Sequence, residues 1–282
     1  MRADQRARRD DLLSRIGSRS AVMGILNVTP DSFSDGGRYA EADAARAHCD
    51  RLVAQGADIL DIGGESTRPG ARLPDTAEQL ARVLPVLRYA VALGVPVSVD
   101  TADPVVMRAA LELGVDILND VRALLAPGAL AVAASHETVG VCLMHMQGEP
   151  GSMQVAPHYE DDDVLGAVAR FLAARRDAAV AAGIALDRIA LDPGIGFGKT
   201  QVHNLALSVG QSALRELGCP LLLGWSRKST LGAITGRAVD ERAAASVAAA
   251  LAAVQQGASV VRVHDVAETV DALKVWRALT AA

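Results

Sequence analysis

Eight apolar stretches of this chain each end in a polar side chain, and these side chains differ in their chemistry. In chain order they are Asn27, Asp61, Asp100, Asn119, His145, Asp192, Ser226 and His264. A buried strand needs only apolar residues, so carboxylates, amides and imidazoles at successive strand ends require another explanation. In a repeated alternation of strands and helices, all of these ends meet at one rim. The pattern therefore predicts an active site built from several strand ends.

Asp100, Asn119 and Asp192 supply the carboxylates and the amide of this set. A carboxylate near a barrel mouth costs desolvation free energy unless it gains hydrogen bonds. Each of these residues could instead cap the helix that follows its strand. Together they offer acceptors and an amide that suit a 2-amino-4-oxo-pyrimidine ring, because a carboxylate can accept two neighbouring N–H groups.

Basic side chains follow the same strand ends. Arg262 and His264 alternate along the last apolar stretch and are therefore expected to point the same way. Lys228 follows the seventh stretch, and Arg68 lies in the loop after the second. A single basic residue is usually a solvated surface charge, whereas several on one rim would form a local anion site, most naturally for phosphate.

The segment DPGIGFGKT (192–200) places a lysine in a glycine-rich turn. A phosphate-binding P-loop requires glycine five positions before the glycine that precedes its lysine, and that position is Pro193. The segment therefore does not predict ATP binding through Lys199. Phe197 lies between two glycines in this turn; it could pack internally, but contact with a flat ligand is the more typical use.

The elements that must position these residues alternate along the chain. Strands are predicted over residues 22–27, 59–63, 95–100, 116–120, 139–145, 189–192, 220–224 and 259–264. Their unbroken apolar runs are typical of parallel strands covered on both faces. Helices are predicted over residues 42–55, 76–93, 104–113, 163–182, 241–256 and 266–279. Eight strands in this rhythm predict an α/β fold, namely a (β/α)8 TIM barrel with a closed parallel sheet.

Three segments fall outside this alternation. TPDSFSDGG (29–37) and GGESTRPG (63–70) are rich in Gly and Pro, which predicts mobile loops that could close over a substrate. Residues 1–20 form an N-terminal arm that is either disordered or a helix covering the barrel floor. Residues 21–282 are predicted to form one (β/α)8 barrel domain without a linker.

Composition limits the classes of function. The net charge of −5 gives no general attraction to nucleic acid or to an anionic membrane. No apolar stretch reaches the ~20 residues that span a bilayer. Three scattered cysteines predict free thiols in a reducing cytoplasm, and the spacing of the six histidines does not predict a transition-metal centre.

The motifs resemble those of the bacterial dihydropteroate synthases, a family of pterin-binding TIM barrels, from residue 22 to about residue 279. The matching segments occur in the family's order: MGILNVTPDSFSDGG (23–37), GGESTRPGA (63–71), SVDT (98–101), ND (119–120), CLMHMQG (142–148), DPGIGFGK (192–199), SRKS (226–229) and RVHDV (262–266). Trp225 stands where Met is common in the family and Ile195 where Phe is common. Neither departure touches a residue to which chemistry is assigned.

The resemblance implies condensation of 6-hydroxymethyl-7,8-dihydropterin pyrophosphate with p-aminobenzoate, a folate-biosynthetic step inhibited by sulfonamides. By this resemblance the pterin would be bound by Asp100, Asn119, Asp192 and Lys228. The pyrophosphate would be held by Arg262 and His264, and Asn27 would be a ligand of Mg²⁺. The two loops would contribute Phe33, Thr67, Arg68 and Pro69. The p-aminobenzoate pocket would be lined by Phe197, Lys228 and Ser229. Catalysis would rest on Asp100, Asp192, Lys228, Arg262 and His264.

The implied mechanism is SN1-like. Pyrophosphate leaves readily once Mg²⁺, Arg262 and His264 neutralise its charge. The electron-rich dihydropterin can delocalise the resulting cation, which Asp100 and Asp192 would stabilise before the aryl amine attacks. Loop closure would exclude water that could capture the cation.

Two alternatives are compatible with a pterin-binding barrel. A methyltransferase that passes a folate methyl group to a corrinoid would not need the intact pyrophosphate residues. A catalytically inactive relative acting as a partner subunit would show damage in the first loop or in SRKS, and both motifs are intact. Because family members are commonly homodimers, we expect a homodimer.

Overall fold

The computed structural model of the chain describes residues 3–28, 37–65, 74–149 and 151–280. Its sheet has eight short strands, and their residues are nearly all buried because both faces of the sheet are covered. The strands are β1 (Ala21–Asn27), β2 (Ile59–Gly63), β3 (Val97–Asp100), β4 (Ile117–Asp120), β5 (Gly140–Met144), β6 (Ile189–Asp192), β7 (Leu222–Leu223) and β8 (Val260–Val263). Each strand lies within its predicted range, except that β1 begins one residue earlier.

The strands pair in parallel in the order β6-β5-β4-β3-β2-β1-β8-β7. The two outer strands meet through a bridge between Leu191 and Leu221, where the Leu191 N–H donates to the Pro220 carbonyl at 2.9 Å. The sheet is therefore a nearly closed barrel, which confirms the predicted (β/α)8 architecture. Because β7 has a ladder with β8 but only this bridge towards β6, it is shorter than its predicted range.

Helices connect and cover the strands. They are α1 (Ala3–Ser18), α2 (Gly37–Ala54), α3 (Thr76–Ala90), α4 (Pro104–Leu113), α5 (Ala129–Ala134), α6 (Val164–Ala181), α7 (Gln201–Val209), α8 (Gln211–Leu214), α9 (Ser229–Thr235), α10 (Ala243–Gln255) and α11 (Val266–Thr280). The six predicted helices correspond to α2, α3, α4, α6, α10 and α11. Within the described ranges, no helix is both long enough and apolar enough to cross a membrane.

Local sequence sets the ends of α4. The Asp103 side chain accepts the Val105 N–H at 2.8 Å, and Pro104 occupies the first turn, where its missing N–H costs nothing. Gly114 ends the helix at a φ of 95°, a left-handed conformation that favours glycine. By contrast α3 ends at Ala90, short of the predicted residue 93, because the chain tightens into a turn in which the Leu93 N–H bonds to the Ala90 carbonyl.

Helix α1 covers the barrel floor, which decides between the two alternatives predicted for the N-terminal arm. Leu12 packs against residues that point into the lower barrel, including Met23 and Val260. The buried Asp58 carboxylate accepts Arg19 Nη1 at 2.8 Å, Arg15 Nη1 at 3.2 Å and the N–H of Val22, in β1, at 2.9 Å. Burial alone would raise the pKa of Asp58, but these hydrogen bonds hold it below its ordinary value. The floor of the barrel is therefore closed by apolar contact and ion pairs.

Candidate active site

The described site residues predicted from the sequence lie at the rim formed by the carboxyl ends of the strands. Three of them end a strand: Asn27 in β1, Asp100 in β3 and Asp192 in β6. Two are the next-to-last residue of a strand, Asn119 in β4 and Arg262 in β8. The others lie after β6, β7 or β8, namely Phe197, Lys228, Ser229 and His264. The predicted loop residues Phe33, Thr67, Arg68 and Pro69 lie outside the described residues.

Arg262 is the centre of the polar network inside the rim. Its Nε donates to Asp61 Oδ2 at 2.6 Å and its Nη2 to Asp100 Oδ2 at 2.7 Å, so one guanidinium joins β8 to β2 and β3. Burial alone would lower the pKa of Arg262, but the two carboxylates raise it above its ordinary value. Arg262 therefore remains a cation and is held in a fixed plane by two charge-assisted hydrogen bonds.

Asp100 and Asp192 are carboxylates whose pKa values rise on burial. The pKa of Asp100 is raised to about 7, mainly by burial, although Arg262 opposes the shift. The pKa of Asp192 is also raised by burial, while the Gly194 N–H, which donates to its Oδ1 at 2.7 Å, and the Lys228 cation oppose the shift. Near neutral pH, Asp100 can thus be either charged or protonated before a ligand binds.

Asn119 is oriented by Asp61. Its Nδ2 donates to Asp61 Oδ2 at 3.2 Å, and Asp61 is fully buried. Because an ionised carboxylate can only accept hydrogen bonds, the amide nitrogen of Asn119 must face Asp61 and the amide oxygen must face away. The site therefore presents an acceptor at this position, which suits an N–H group of a ligand.

Lys228 and Phe197 meet across the β6–α7 and β7–α9 loops. Lys228 Nζ lies 4.0 Å from the centre of the Phe197 ring, a cation–π distance. Burial lowers the pKa of Lys228 to about 8, and the Arg262 cation adds to the shift while Asp192 opposes it. Ser229, beside Lys228, is exposed and begins the seven-residue helix α9. A flat ring and two polar groups therefore adjoin one opening.

The backbone before Lys228 is held in an unusual conformation. Arg227 has a φ of 58°, in the left-handed region that β-carbon-bearing residues rarely adopt. Its N–H donates to Ser246 Oγ at 2.9 Å, its carbonyl accepts Arg242 Nη1 at 3.1 Å, and its Nε donates to Asp265 at 3.2 Å. Contacts from α10 and from the end of β8 thus hold the loop that carries Lys228.

Ser226 holds the ring of His264, and burial favours its neutral form. Its Nδ1 lies 2.9 Å from Ser226 Oγ, and that oxygen also accepts the backbone N–H of His264 at 3.1 Å. The serine hydroxyl can donate to Nδ1, and in that tautomer the proton of the neutral ring is on Nε2. Burial lowers the pKa of His264 to about 3, and the Arg262 and Arg227 cations add to the shift. His264 is thus ready to donate to an anion.

Sequence reasoning assigned no role to two residues that the structure places in the network. Asp61 and Ser226 were recognised as strand ends, but nothing beside them in the sequence indicates that Asp61 bonds to Arg262 or that Ser226 bonds to His264. Their positions at strand ends on the same rim were the available signal. His145, also a predicted strand end, does not join Arg262; it packs behind the β6–α7 loop against Phe171, with ring centres 5.0 Å apart.

The barrel and the polar network at its carboxyl rim suit an enzyme that binds a flat, nitrogen-rich heterocycle. The family model described as "Pterin binding enzyme" matches residues 23–264, which include the whole network from β1 to His264.

Comparisons with individual proteins narrow this class. The dihydropteroate synthase of Neisseria meningitidis serogroup B is 56% identical over 264 residues, covering 92% of both chains. That of Escherichia coli K12 is 46% identical, covering 94% of this chain and 93% of the relative. The structure of the Xanthomonas albilineans dihydropteroate synthase with 4-aminobenzoic acid superimposes with a TM-score of 0.88 at 53% identity, covering 94% of each chain. The chain belongs to the dihydropteroate synthase family, and the methyltransferase alternative is set aside.

Proposed function

We propose that this protein condenses 6-hydroxymethyl-7,8-dihydropterin pyrophosphate with p-aminobenzoate, giving 7,8-dihydropteroate and pyrophosphate. One observation carries the proposal: Arg262 joins Asp61 and Asp100 in a buried network at the rim, and Asn119, bonded to Asp61 through its amide nitrogen, has its amide oxygen left for a ligand. The acceptors of this network suit the N–H groups of a pterin, and family membership supports the reaction class.

The pterin is expected to bind with its pyrimidine edge against Asp192 and Asn119. The Asp192 carboxylate can accept the ring N–H and the 2-amino group together, as it would accept an Arg fork. The Asn119 oxygen supplies a further acceptor. Arg262 lies at the same level of the barrel, so its planar guanidinium can lie against the pterin face. A ring of this kind would replace water around two carboxylates whose burial already raises their pKa values.

Departure of pyrophosphate is the step that the charges favour. The carbon–oxygen bond breaks with both electrons leaving on pyrophosphate, where Arg262 and the Nε2–H of His264 stabilise the charge. The dihydropterin carries the positive charge, and Asp100 and Asp192 lie close enough to Arg262 and Lys228 to share the same electrostatic network. The aryl amine then forms the new carbon–nitrogen bond and releases a proton. No covalent bond to the protein is required.

The p-aminobenzoate ring is expected beside Phe197 and Lys228, with Ser229 near its carboxylate. A cation already lies over the Phe197 face, so a flat anion can pair with Lys228 while its ring contacts Phe197. The Xanthomonas relative was solved with 4-aminobenzoic acid and the Yersinia pestis enzyme, 47% identical, with a sulfonamide drug. These complexes support p-aminobenzoate as the second substrate and sulfonamides as inhibitors of this protein.

Mg²⁺ is proposed as the metal of the reaction, with Asn27 as its protein ligand. A β-carbon placed on Gly63 would lie 3.6 Å from Asn27 Oδ1 and 3.7 Å from Asp100 Oδ2, so these two oxygens lie on the same side of Gly63. Among the described residues, no three carboxylate, imidazole or thiol groups are arranged for a metal. This donor chemistry fits a hard cation that takes its other ligands from pyrophosphate and water. Bound there, Mg²⁺ would neutralise charge on the leaving group.

The experiment that tests the proposed function is product formation by the purified protein. It receives dihydropterin pyrophosphate, radiolabelled p-aminobenzoate and Mg²⁺, with parallel samples containing EDTA. Labelled dihydropteroate that disappears with EDTA and returns with added Mg²⁺ is the expected result. Pterin binding by calorimetry without product would instead indicate the catalytically inactive relative. Absence of both would contradict the assignment of the rim.

A homodimer is proposed from two apolar outer faces, one on α7 and one on α10. Val202, Leu205 and Val209 lie three, four and seven positions apart along α7 and are exposed, with 73% of Val202 and 78% of Val209 accessible. In α10 the exposed positions Ala244, Ala248 and Ala252 recur every four residues and carry small side chains. Two copies could therefore approach closely here. Sedimentation equilibrium should give a dimer, and Val202→Glu with Val209→Glu should give a monomer.

The cytoplasm is proposed as the site of action. All three cysteines, Cys49, Cys142 and Cys219, are buried free thiols, and burial raises the pKa of each. Thiols of this kind agree with a reducing compartment. Fractionation of the native host, with detection of the protein by antibody, would test this proposal.

A further inference from the structure

Lys199, the lysine of the glycine-rich turn that does not fit a P-loop, is a buried residue with a full set of partners. Only 2% of it is exposed. Its Nζ lies 2.9 Å from His145 Nδ1, 3.0 Å from the Phe197 carbonyl and 3.4 Å from the His145 carbonyl. An ammonium has three donors, and three acceptors surround this one. The ammonium therefore joins the end of β5 to the tip of the β6–α7 loop.

The same two segments touch through their backbones. A β-carbon on Gly194 would lie 1.9 Å from the His145 carbonyl oxygen, and one on Gly198 would lie 2.2 Å from the Gln147 carbonyl oxygen. Both glycines have positive φ, 69° and 64°. The loop can therefore lie against residues 145–147 only because these positions lack side chains. Tyr159 adds a further attachment, since its hydroxyl donates to the Gly198 carbonyl at 2.9 Å.

These contacts fix the residue that faces the opening. Phe197 lies between the glycines at 196 and 198, a sequence that alone would leave its backbone free to rotate. Its carbonyl is bonded to Lys199, and its ring lies under Lys228 Nζ. If the Lys199 bond is lost, the ring can leave Lys228 while Asp100 and Asn119 keep their own hydrogen bonds. The bond from the Gly194 N–H to Asp192 does not involve Lys199 either.

We propose that Lys199 is a positioning residue that, with His145, holds Phe197 in place for the aromatic amine substrate. This inference rests on the proposed function and deepens it. It assigns to Lys199 a hydrogen-bonding role behind the site and no contact with phosphate. The expected signature is selective: weaker use of p-aminobenzoate with unchanged pterin binding.

The chemistry of the pair explains why lysine and histidine suit this position. Burial lowers the pKa of Lys199 to about 7, with Asp192 opposing the shift, and burial lowers the pKa of His145 to about 3. The ammonium donates to the unprotonated Nδ1 of neutral His145. A neutral amine can accept from Nδ1 in the other tautomer and still donate to both carbonyls. The link therefore persists in either state of Lys199.

The test compares Lys199→Met, which keeps the length and apolar volume of the side chain but removes its donors, with wild type. Lys274→Met is the matched control, because Lys274 is exposed and lies on α11 away from the rim. For Lys199→Met we expect the KM for p-aminobenzoate to rise at least tenfold, with kcat and the pterin Kd within twofold of wild type. An unchanged KM, or an equal loss of pterin binding, would overturn the proposal.

A double-mutant cycle with Phe197→Leu separates positioning from general loss of structure. If Lys199 acts through Phe197, the Lys199→Met change should raise the KM much less in the Phe197→Leu background. Additive effects would contradict the proposal. If Lys199→Met does not fold, Lys199→Gln replaces it in the same cycle.

Hydrogen exchange gives a readout that does not depend on activity. Amides of residues 196–199 should exchange faster in Lys199→Met than in wild type, while those of α10 should not change. This result together with an inactive wild-type enzyme would reject the proposed function and keep the loop assignment. Unchanged exchange in an active enzyme would reject the loop assignment alone.

Discussion

Asp61 provides the sharpest test of how the polar network at the rim orients its residues, because it accepts from two donors at once. Arg262 Nε and Asn119 Nδ2 both bond to it, at 2.6 Å and 3.2 Å. In Asp61→Asn the new side chain has the same shape but only one acceptor. If its oxygen takes the place of Oδ2, which Arg262 and Asn119 both contact, its amide nitrogen takes the place of Oδ1, 3.4 Å from the amide nitrogen of Asn119. Two NH₂ groups then face each other, which favours a rotation of Asn119 that presents its own NH₂ group to the ligand.

The magnitude follows from the hydrogen bond that this rotation removes. The pterin N–H that met the Asn119 oxygen would meet a donor, and both donors would be left without partners. A lost hydrogen bond with buried, partly charged partners costs about 1.5–3 kcal/mol. Since about 1.4 kcal/mol changes a binding constant tenfold, the pterin Kd should rise by about 10- to 150-fold.

Titration calorimetry with a pterin measures this change directly. Asp177→Asn is the control, because Asp177 lies on α6 and 66% of its side chain is exposed. Thermal melting establishes that both variants are folded, and a cycle with Asn119→Ala tests whether Asp61 acts through that residue. A folded Asp61→Asn variant that binds pterin within twofold of wild type would refute the orientation argument.

Three other substitutions test separate parts of the structure. Asp192→Ala should weaken pterin binding by about 1.5–3 kcal/mol, and equal calorimetric affinities would remove Asp192 from the pyrimidine edge. Asp58→Asn should lower the free energy of unfolding, measured by urea denaturation at pH 7, by at most about 3 kcal/mol, because the arginine partners of Asp58 are partly solvated. No measurable loss would mean that these ion pairs contribute as little to stability as exposed ones. The pKa of His264 is about 3 in the folded state and about 6.5 in the unfolded state. Only the unfolded chain therefore binds this proton between those values, and stability from this group rises with pH. His264→Gln should flatten the dependence between pH 4 and 6 by up to about 1.4 kcal/mol per pH unit, and parallel curves for the two proteins would contradict this.

The strands and the long helices could be predicted because their signals are local. Apolar runs that end at Asp100 or Asp192 need no information from elsewhere in the chain, and Gly114 marks the end of α4 by itself. Helices α5, α7, α8 and α9 were not predicted, because they span nine residues or fewer and have little room for a periodic pattern. The end of β7 depends on its neighbours across the barrel and is likewise not encoded locally.

The site likewise has features that the sequence predicts and pairings that it does not. The rim position of Arg262 and His264 follows from strand alternation, and their anion-binding chemistry follows from residue type. The link from Arg262 to Asp61 joins residues 201 positions apart, and the link from Ser226 to His264 joins residues 38 positions apart. Such pairings depend on barrel register, which a single sequence does not specify. Lys199 could be excluded as a P-loop lysine from spacing, but its actual partners appear only in the folded chain.

The joint between β6 and β7 has a consequence for inhibition. Asp192 lies at the end of β6, and Lys228 follows β7, so these two groups stand on opposite sides of the place where the ladder is reduced to a bridge. A molecule bound to both acts as a cross-link of the barrel wall. Such a molecule should oppose opening of the joint, because the two sides can separate only after one of its contacts breaks. A compound that binds on one side alone gives no such support, so exchange of the Leu191 amide, which bonds to the Pro220 carbonyl, should distinguish the two kinds of inhibitor even at equal affinity.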